Sequence, residues 1–370
     1  MFDVRTRMIR LALTVLFMSF GTTTAALAQA SFKPLGFLPG NNDSVAYAIS
    51  ADGSVIVGRS DSNGPTQAVA WDRKGTITSL GDLQNGSRNN YALGASGNGA
   101  VIVGMAYTSQ GYEGFRWTSS EGMKGLGDLS GGDFAGWARG SSADGSVIVG
   151  YGTSSFGTEA TRWTAATGVQ TLGSNTFSAA SCSSDGAVVT GVFRTGGGFV
   201  WTGGTGAIAI GDPIGGSNNG TNPVKMSADG TTIVGYAYFP TNLYGYGRRP
   251  FRWTKETGSV ELGGEGHATG VSADGSVIVG FGEGAWGGEG GFIWDASEGM
   301  QDLKLLLESK GLNLDGWQLW PYDVSSDGSV IVGAGIHNGT QEAWVAVVPE
   351  PATMSLLALG GMAMIRRRRK

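Results

Sequence analysis

Aspartate recurs in one short phrase of the sequence, Ser-x-Asp-Gly, and a repeated carboxylate could bind calcium. The phrase occurs seven times, with asparagine in the second copy; the residues are Asp52, Asn98, Asp144, Asp185, Asp229, Asp274 and Asp327. Calcium takes about six to eight oxygen ligands, usually several of them carboxylates of one loop, whereas each copy offers a single carboxylate. Asp followed by Gly is typical of tight hairpin turns in which both residues carry positive φ. We therefore predict repeat turns here, with calcium binding as the weaker alternative.

A histidine among carboxylates is the main candidate for acid–base chemistry. His267 follows Glu265 beside a predicted innermost strand, and Glu283 and Glu289 are near in sequence. A histidine and a carboxylate in one channel could exchange protons with a substrate or hold a metal ion. A solvated loop histidine accounts for the same residues, and we expect that simpler arrangement.

A basic and aromatic cluster falls within one predicted loop, at Tyr244, Tyr246, Arg248 and Arg249. The Ser-x-Asp phrases are superficially similar to those of sialidase propellers, which need an arginine cluster, a tyrosine and carboxylates converging on an axis. This cluster belongs to one repeat only, so we expect a binding loop or a solvated turn. The chain has one cysteine and two histidines, and it lacks a nucleophile elbow and a phosphate loop. We predict no catalytic residue, no cofactor and no metal.

The elements that must position these residues belong to a repeat of about 45 residues. The motif Ser-Ala-Asp-Gly-Ser-Val-Ile-Val-Gly and its close variants begin at Ser50, Ser96, Ser142, Ser183, Ser227, Ser272 and Ser325. A tryptophan follows each copy, at Trp71, Trp117, Trp163, Trp201, Trp253, Trp294 and Trp344. Glycine is abundant, at 66 of 370 residues, and only 15% of the residues are charged. Such self-similarity indicates a repeat architecture rather than a single enzyme core.

Each repeat contains four short strand patterns, so we predict an all-β, seven-bladed β-propeller of four-stranded repeats. Val-Ile-Val after the turn is apolar on both faces, as expected of a strand between packed sheets. Small residues stand four positions before each motif serine, which indicates a crowded strand near the central axis. They are Ala46, Ala92, Ala138, Ala179, Pro223, Ala268 and Pro321. An open solenoid is the alternative for these repeats.

The last repeat lacks its fourth strand, because the chain runs from Trp344 to Val348 without a Leu-Gly phrase. The segment Phe32 to Leu38 carries Leu35-Gly36 without a preceding motif, and we predict that it pairs with the strand around Trp344. An insert before repeat seven, Asp302 to Lys310, predicts one short helix that ends at Gly311. We expect its leucines to pack on the disc edge; a recognition element on the rim is the alternative.

The N-terminus has the order of a secretory signal peptide. Arg5, Arg7 and Arg10 precede an apolar run from Leu11 to Phe20 and then small residues. Ala28 and Ala30 mark the predicted cleavage sites for signal peptidase. We predict a signal peptide over residues 1–30 and a repeat domain over 31–348. A membrane anchor is the alternative, although the run is short for the roughly 20 residues that a span needs.

The C-terminus combines a short polar motif, an apolar stretch and a basic end. The motif is Pro349-Glu350-Pro351, the stretch runs from Ala352 to Ile365, and the basic residues are Arg366, Arg367, Arg368, Arg369 and Lys370. This order resembles the PEP-CTERM sorting signal, whose proteins are processed by an exosortase in Gram-negative bacteria and are associated with exopolysaccharide. The resemblance implies a sorting signal over residues 349–370, with transient inner-membrane insertion through a short helix. A plain tail anchor is the alternative.

The repeats also resemble the bacterial extracellular repeats called HAF. The Ser-x-Asp-Gly and Val-Gly phrases fit that pattern, but the His-Ala-Phe phrase does not, because this chain has Glu113-Gly114-Phe115 and Arg249-Pro250-Phe251 at those places. The resemblance spans roughly residues 32 to 348. It implies architecture and an extracellular location, and it brings no catalytic residue.

Charge narrows the function classes further. Without both ends the chain keeps 17 basic and 28 acidic side chains, a net charge of −11, which argues against nucleic-acid binding. We predict an exported, non-catalytic protein of the outer surface or biofilm matrix, structural, adhesive or glycan-binding, with Trp286, Trp317 and Trp320 as stacking faces for an extracellular polysaccharide. The alternative is an extracellular carbohydrate-active enzyme that uses the propeller channel.

Overall fold

Seven four-stranded antiparallel sheets make up the protein, as a computed structural model covering residues 29–61, 65–213, 220–241, 245–283 and 289–349 describes it. The predicted all-β, seven-bladed propeller is confirmed. In chain order the elements are β1 (Ser31–Pro34), β2 (Asp43–Ile49), β3 (Val55–Asp61), β4 (Gln67–Asp72), β5 (Ile77–Ser79), β6 (Gly86–Ala95), β7 (Ile102–Thr108), β8 (Gly111–Thr118), β9 (Gly122–Gly125), β10 (Trp137–Ser141), β11 (Val147–Ser154), β12 (Gly157–Thr164), β13 (Gly168–Thr171), β14 (Thr176–Cys182), β15 (Val188–Phe193), β16 (Gly198–Thr202), β17 (Gly206–Ala209), β18 (Thr221–Met226), β19 (Thr232–Thr241), β20 (Gly245–Thr254), β21 (Gly258–Glu261), β22 (His267–Val271), β23 (Ile278–Glu283), β24 (Glu289–Asp295), β25 (Gly299–Asp302), α1 (Leu303–Ser309), β26 (Trp317–Val324), β27 (Val330–His337) and β28 (Thr340–Val347).

Each sheet forms one blade, and the blades are numbered 1 to 7 along the chain from β2. Blades 1 to 6 run outward in sequence order, and blade 7 has the order β26-β27-β28-β1. The innermost strands are β2, β6, β10, β14, β18, β22 and β26, and each contacts its two neighbours around a central axis. The alanines expected on a crowded inner strand are buried, with Ala46, Ala92 and Ala179 at 0% exposure.

The N-terminal strand completes the last blade. β1 pairs antiparallel with β28, which places Phe32 opposite Ala346 and Pro34 opposite Trp344. The Phe32 ring packs against Trp344 at 5.6 Å between centroids. The predicted partner segment is therefore found beside Trp344. Because β28 is hydrogen-bonded on both sides, blade 7 has the same four strands as the others.

The repeat turn is a hairpin loop in which only the glycine has positive φ. In blade 1, Gly53 has a φ of +68°, its N–H donates to the Ser50 carbonyl at 2.8 Å, and the Ser50 N–H donates to the Val55 carbonyl at 2.8 Å. The expectation of positive φ at both Asp and Gly was wrong for Asp52. The aspartate instead accepts from the Ser50 hydroxyl at 2.6 Å and from the Ser54 N–H at 2.9 Å. Its carboxylate thus stabilises the loop from inside.

The glycine that ends each motif lies where the innermost strand approaches closely. A Cβ on Gly150 would overlap the carbonyl oxygen of Trp137, and one on Gly104 would overlap that of Tyr91. The same overlap with an inner-strand carbonyl occurs at Gly58, Gly191, Gly235, Gly280 and Gly333. The glycine of the repeated Val-Gly motif is therefore required by a close backbone contact, which excludes any larger residue at this position.

The seventh tryptophan is out of register with the other six. Trp117 lies opposite Ile102, and the tryptophans of blades 1 and 3 to 6 occupy the same place. Trp344 instead lies opposite Gly333, which is the place of the fully buried Phe115 in blade 2. Equating Trp344 with Trp117 was therefore wrong. Burial does not follow the register alone: Trp344 is 0% exposed and Trp71, which has the register of Trp117, is 1% exposed, while Trp117 is partly buried.

Helix α1 packs on the disc edge, as its leucine pattern predicts. Asp302 caps the helix by accepting from the Leu305 N–H at 2.9 Å, and Gly311 follows the end with a φ of +89°. Leu303 and Leu307 are fully buried in a cluster with Trp344. The buried leucine face fits the packing interpretation rather than the rim element.

The predicted terminal signals lie outside the described residues, apart from Gln29, Ala30 and Pro349. This holds for residues 1–28 and 350–370, including Ala28 and the basic end. Within the described ranges, no helix is both long and apolar enough to span a membrane. The domain boundaries at residues 30 and 348 stay predictions.

Candidate functional site

A ring of hydrogen bonds joins all seven blades at the repeat turns. The second residue of each motif takes part, and we call these seven residues the turn ring: Ala51, Gly97, Ala143, Ser184, Ala228, Ala273 and Ser326. Each link runs from a backbone N–H in one blade to the carbonyl of the next, with the Ser326 N–H closing the circle on the Ala51 carbonyl at 3.0 Å. In blade 1 the donor is the neighbouring Asp52 N–H, at 3.0 Å from the Gly97 oxygen. The ring frames one end of the central channel with small side chains.

A β-bulge interrupts the innermost strand of every blade at the same place, three residues before the motif serine. In blade 3, for example, the register shifts between Ala138 and Gly140, which leaves Arg139 as the extra residue. The seven extra residues, here called the bulge ring, are Tyr47, Leu93, Arg139, Ala180, Val224, Thr269 and Tyr322. All of them line the central channel. A bulge turns a side chain out of the alternating pattern, so this ring sets the chemistry of the lumen.

The channel encloses a cavity of about 460 Å³ whose lining differs from side to side. Blades 4, 5 and 6 contribute Ala180, Val224 and Thr269 to the bulge ring, whereas blades 7 and 1 contribute tyrosines. The volume is within the range of small-molecule sites. A ligand would therefore find room on one side and large side chains on the other.

Aromatic rings form a continuous series beside the channel, here called the aromatic arc. It runs from blade 5 to blade 1 through Tyr236, His267, Phe281, Tyr322 and Tyr47. Successive centroids are 4.4 to 5.7 Å apart. The Tyr47 hydroxyl accepts from Arg59 Nε at 3.1 Å, which fixes its ring. Such a wall offers apolar faces with polar edges.

Arg139 is the cation of the bulge ring. Its guanidinium lies over Trp137 and Tyr151, at 5.6 and 5.7 Å from the ring centroids. Within the described residues it forms no hydrogen bond and no ion pair. The side chain is exposed to the lumen, and the protein packed around the lumen lowers the pKa of Arg139 through partial desolvation. A cation with aromatic contacts but no counter-ion is available to an anion in the channel.

A second charged group in the channel is neutralised by its partner. Lys225 Nζ is 2.7 Å from Asp323 Oδ2 across blade 6. Asp323 is buried, and Oδ2 also accepts from the Ile49 N–H at 3.2 Å. The pair thus links blades 5, 7 and 1. Asp323 and Lys225 stand where most other blades have Ala, Gly or Ser, so they break the repeat just as Arg139 does.

His267 lines the channel, as considered from the sequence, but its partner is a cation. Its Nε2 is 3.2 Å from Arg248 Nη1. Partial burial, and then the charge of Arg248, lower the pKa of His267 to about 4. The ring is therefore neutral near pH 7. Glu265 is exposed and has no hydrogen bond to His267 within the described residues, and the side chains of Glu283 and Glu289 lie outside them.

The basic and aromatic cluster is part of a hairpin, so placing all of it in a loop was wrong. Arg248 and Arg249 lie in β20, where Arg248 pairs with Tyr238 and Arg249 with Ala237 of β19. Arg248 stacks over Tyr236 at 5.3 Å, and Arg249 Nη1 is 3.1 Å from Glu261 Oε1. Tyr244 and the side chain of Tyr246 lie outside the described residues.

The remaining candidates have structural partners. The turn carboxylates accept from serine hydroxyls and loop N–H groups, as Asp144 does from Ser142 at 2.6 Å. No group of three or more His, Cys, Asp or Glu that could hold a metal occurs in the described part of the chain. Cys182 is buried, which raises its thiol pKa to about 12. Trp317 is 6% exposed and stacks on His337, so it is not the stacking face expected from the sequence. Trp320 is partly buried, and Trp286 lies outside the described residues.

Sequence reasoning missed Arg139, Lys225 and Asp323. Aligning the seven repeats on the motif serine reveals them, because they stand two or three positions earlier as charged residues where other repeats have small or apolar ones. The bulge itself leaves no trace in the hydrophobic alternation. The sequence therefore shows that these three residues deviate from the repeat, but only the structure shows that they line the channel.

Comparisons with known proteins identify a sorting motif and proteins of similar fold. The PEP-CTERM protein-sorting motif matches residues 347–370, which implies export to the envelope of a Gram-negative bacterium and is associated with exosortase processing. No curated protein matches the chain. An oligogalacturonate lyase in complex with manganese is similar in structure, with a TM-score of 0.57 and 13% identity, over 87% of this chain and 97% of that one. An oligogalacturonate lyase from Vibrio parahaemolyticus gives 0.55 and 11%, over 87% and 98%. At such identity the likeness concerns the fold alone.

Proposed function

We propose that this protein is an exported, non-catalytic propeller that binds an extracellular glycan in its central channel. The observation that carries the proposal is the uneven lining of the bulge ring. Seven equivalent positions could all hold small residues, yet two carry tyrosine and one carries an unpaired arginine. Aromatic faces with a few polar groups are typical of concave ligand sites.

A binding role fits the channel better than catalysis does. An acid–base mechanism needs a proton donor and a proton acceptor whose pKa values suit the working pH. His267 faces a cation, Asp323 is held in an ion pair, and Glu265 is outside the lining. The fold is shared with lyases, but at 11–13% identity that likeness transfers no activity.

A surface or matrix location is part of the same proposal. The sorting motif begins at residue 347, the last residue of β28. We propose that an exosortase-type enzyme removes the basic tail and that the propeller then contacts exopolysaccharide outside the cell. The HAF-type repeats, as a resemblance, support the extracellular address.

Binding of the mature, secreted protein to exopolysaccharide from its own producer tests the function. Tyr322→Ala removes a tyrosine of the aromatic arc, and Phe156→Ala removes a 71% exposed ring away from the channel as the control. We expect Tyr322→Ala to weaken binding at least about tenfold and Phe156→Ala to leave it unchanged. Equal binding by both variants would place the site elsewhere.

The same samples test catalysis. We expect no shortening of the polysaccharide and no new reducing or unsaturated ends. Depolymerisation by the parent that is lost in His267→Ala, with the thermal midpoint preserved, would establish the carbohydrate-active alternative instead. The intact mass of the secreted form tests processing, since a product that retains Arg366 to Lys370 would contradict removal of the tail.

A further inference from the structure

We propose that the glycan bound in the channel is acidic, and that Arg139 pairs with a carboxylate of one of its sugar residues. This inference rests on the proposed glycan binding and names the chemical class of the ligand. It concerns a residue that the repeat pattern does not require, because the equivalent positions of blades 4 and 5 are Ala180 and Val224.

The first argument is the missing counter-ion. A guanidinium that lines a cavity without a carboxylate partner has its charged N–H donors available to an anion. Among the other arginines of the described residues, Arg59 pairs with Asp43 and Asp61 and Arg249 pairs with Glu261, whereas the buried Nε atoms of Arg162 and Arg252 have no hydrogen-bond partner. Arg139 has only the faces of Trp137 and Tyr151. Those rings hold the guanidinium in place while leaving its N–H groups free for a planar anion.

The second argument is the count of charges in the lumen. The charged side chains that line it are Arg139, Lys225 and Asp323, and the last two neutralise each other at 2.7 Å. His267 is uncharged near pH 7. Arg139 is thus the uncompensated positive charge of the lining, and Arg248 adds a second cation beside it, 3.2 Å from His267, in a protein of net charge −5. A carboxylate balances the charge of Arg139.

The third argument is the opposite wall. Arg139 belongs to blade 3, and the aromatic arc spans blades 5 to 1, so the cation and the rings face each other around the lumen. Arg139 and Tyr236 lie close enough to interact electrostatically. A sugar ring against the arc could therefore present its carboxylate to the guanidinium, which forms two parallel N–H···O bonds with such a group.

Titration calorimetry with matched sugars tests the inference on the mature, full-length secreted protein. The probes are trimers of β-1,4-linked glucuronate and of α-1,4-linked galacturonate, each beside its carboxyl-reduced neutral form, and inorganic phosphate. We expect at least one acidic trimer to bind about tenfold or more tightly than its neutral form, and its affinity to fall as salt is raised. Phosphate binding as tight as that of the trimer would overturn the choice of a carboxylate.

Variants at one position assign the charge. Arg139→Gln should weaken binding of the acidic trimer about ten- to hundredfold and leave the neutral one unchanged. Arg139→Lys should fall between the two, because it keeps the charge and loses the fork. Arg116→Gln, which removes an arginine paired with Glu121 at the surface, should change nothing. The thermal midpoint of Arg139→Gln should not drop, since the side chain packs no core.

The outcomes separate this inference from the proposed function. Equal binding of acidic and neutral sugars, unchanged in Arg139→Gln, would overturn the acidic preference and leave glycan binding intact. Binding of native polysaccharide without binding of any trimer would also overturn it. Absence of binding to the polysaccharide and to every trimer would overturn both.

Discussion

The repeat turns and the bulge ring lie a few residues apart on the same strands, yet they follow opposite rules. At the turns, seven copies keep nearly the same residues because each copy meets the same neighbours. At the bulge ring, seven equivalent positions hold tyrosine, leucine, arginine, alanine, valine and threonine. The first region is constrained by backbone geometry and the second by the contents of the channel. In a repeat protein, positions with the same residue in every repeat therefore indicate structural constraints, whereas positions whose residues differ indicate the candidate functional site.

The largest loss of stability should come from adding a side chain at the tightest backbone contact of the repeat motif. Gly150→Val would place a side chain on the carbonyl oxygen of Trp137, so we expect a loss of at least about 3 kcal/mol in the free energy of unfolding. Denaturant titration measures it. Gly204→Ala is the control, because its Cβ meets nothing within 4 Å, and it should stay within about 0.5 kcal/mol. Similar stabilities for the two variants would contradict the close approach.

Two tryptophans that each follow a copy of the repeat motif should differ in how much stability is lost when alanine replaces them. Trp344→Ala empties a fully buried site beside Gly333 and should destabilise by about 3–5 kcal/mol. Trp117 is partly buried in the other register, and its replacement by alanine should cost about 2 kcal/mol. Chemical denaturation of both variants measures the two losses in the free energy of unfolding. Equal losses would contradict the difference in burial between Trp344 and Trp117.

Acid should weaken the uniform region through its aspartates. The hydrogen bond from the Ser142 hydroxyl, with others from Ser146, lowers the pKa of Asp144 to about 2, and the hydrogen bond from Ser183 likewise lowers the pKa of Asp185. A pKa that is lower in the folded state than its unfolded value of about 4 stabilises the fold above pH 4. That contribution is lost as the pH falls from about 4 to about 2, so the thermal midpoint should drop in this window.

A single substitution checks the assignment. Asp144→Asn should cost under about 1 kcal/mol near neutral pH, because Asn98 already holds the equivalent turn with a 3.3 Å bond to Ser96. The variant should also lose less stability than the parent between pH 4 and 2. An unchanged acid profile would show that other carboxylates control it.

The smallest effect should come from the variable region. Leu93 is partly buried and belongs to the bulge ring, so Leu93→Thr should change the free energy of unfolding by no more than about 0.5 kcal/mol. Differential scanning calorimetry would detect a larger change in stability. A loss comparable to that of Trp344→Ala would mean that the bulge ring serves packing, which would weaken the distinction between the two regions.

Most of the fold could be predicted because each local signal repeats. The period, the four strands, the closing segment near Phe32 and the helix stop at Gly311 all follow from turn residues and apolar patterns. The channel could not be predicted in the same way. Side-chain alternation assumes a regular ladder, and the extra residue of each bulge reverses it, so Arg139 points into the lumen without any change in the pattern around it. His267 was placed near the channel, but its pairing with Arg248 depends on a hairpin that the sequence suggested as a loop.

The closing strand also joins the two ends of the repeat domain. The Gly36 N–H donates to Glu342 at 3.1 Å across 306 residues of chain, so these groups meet only when nearly the whole protein is available. Ring closure is therefore a contact of high contact order. Ser31 and Val347 then lie opposite each other, so the predicted signal peptide and the sorting segment both connect to blade 7, and attachment through either end would hold the propeller by that one blade.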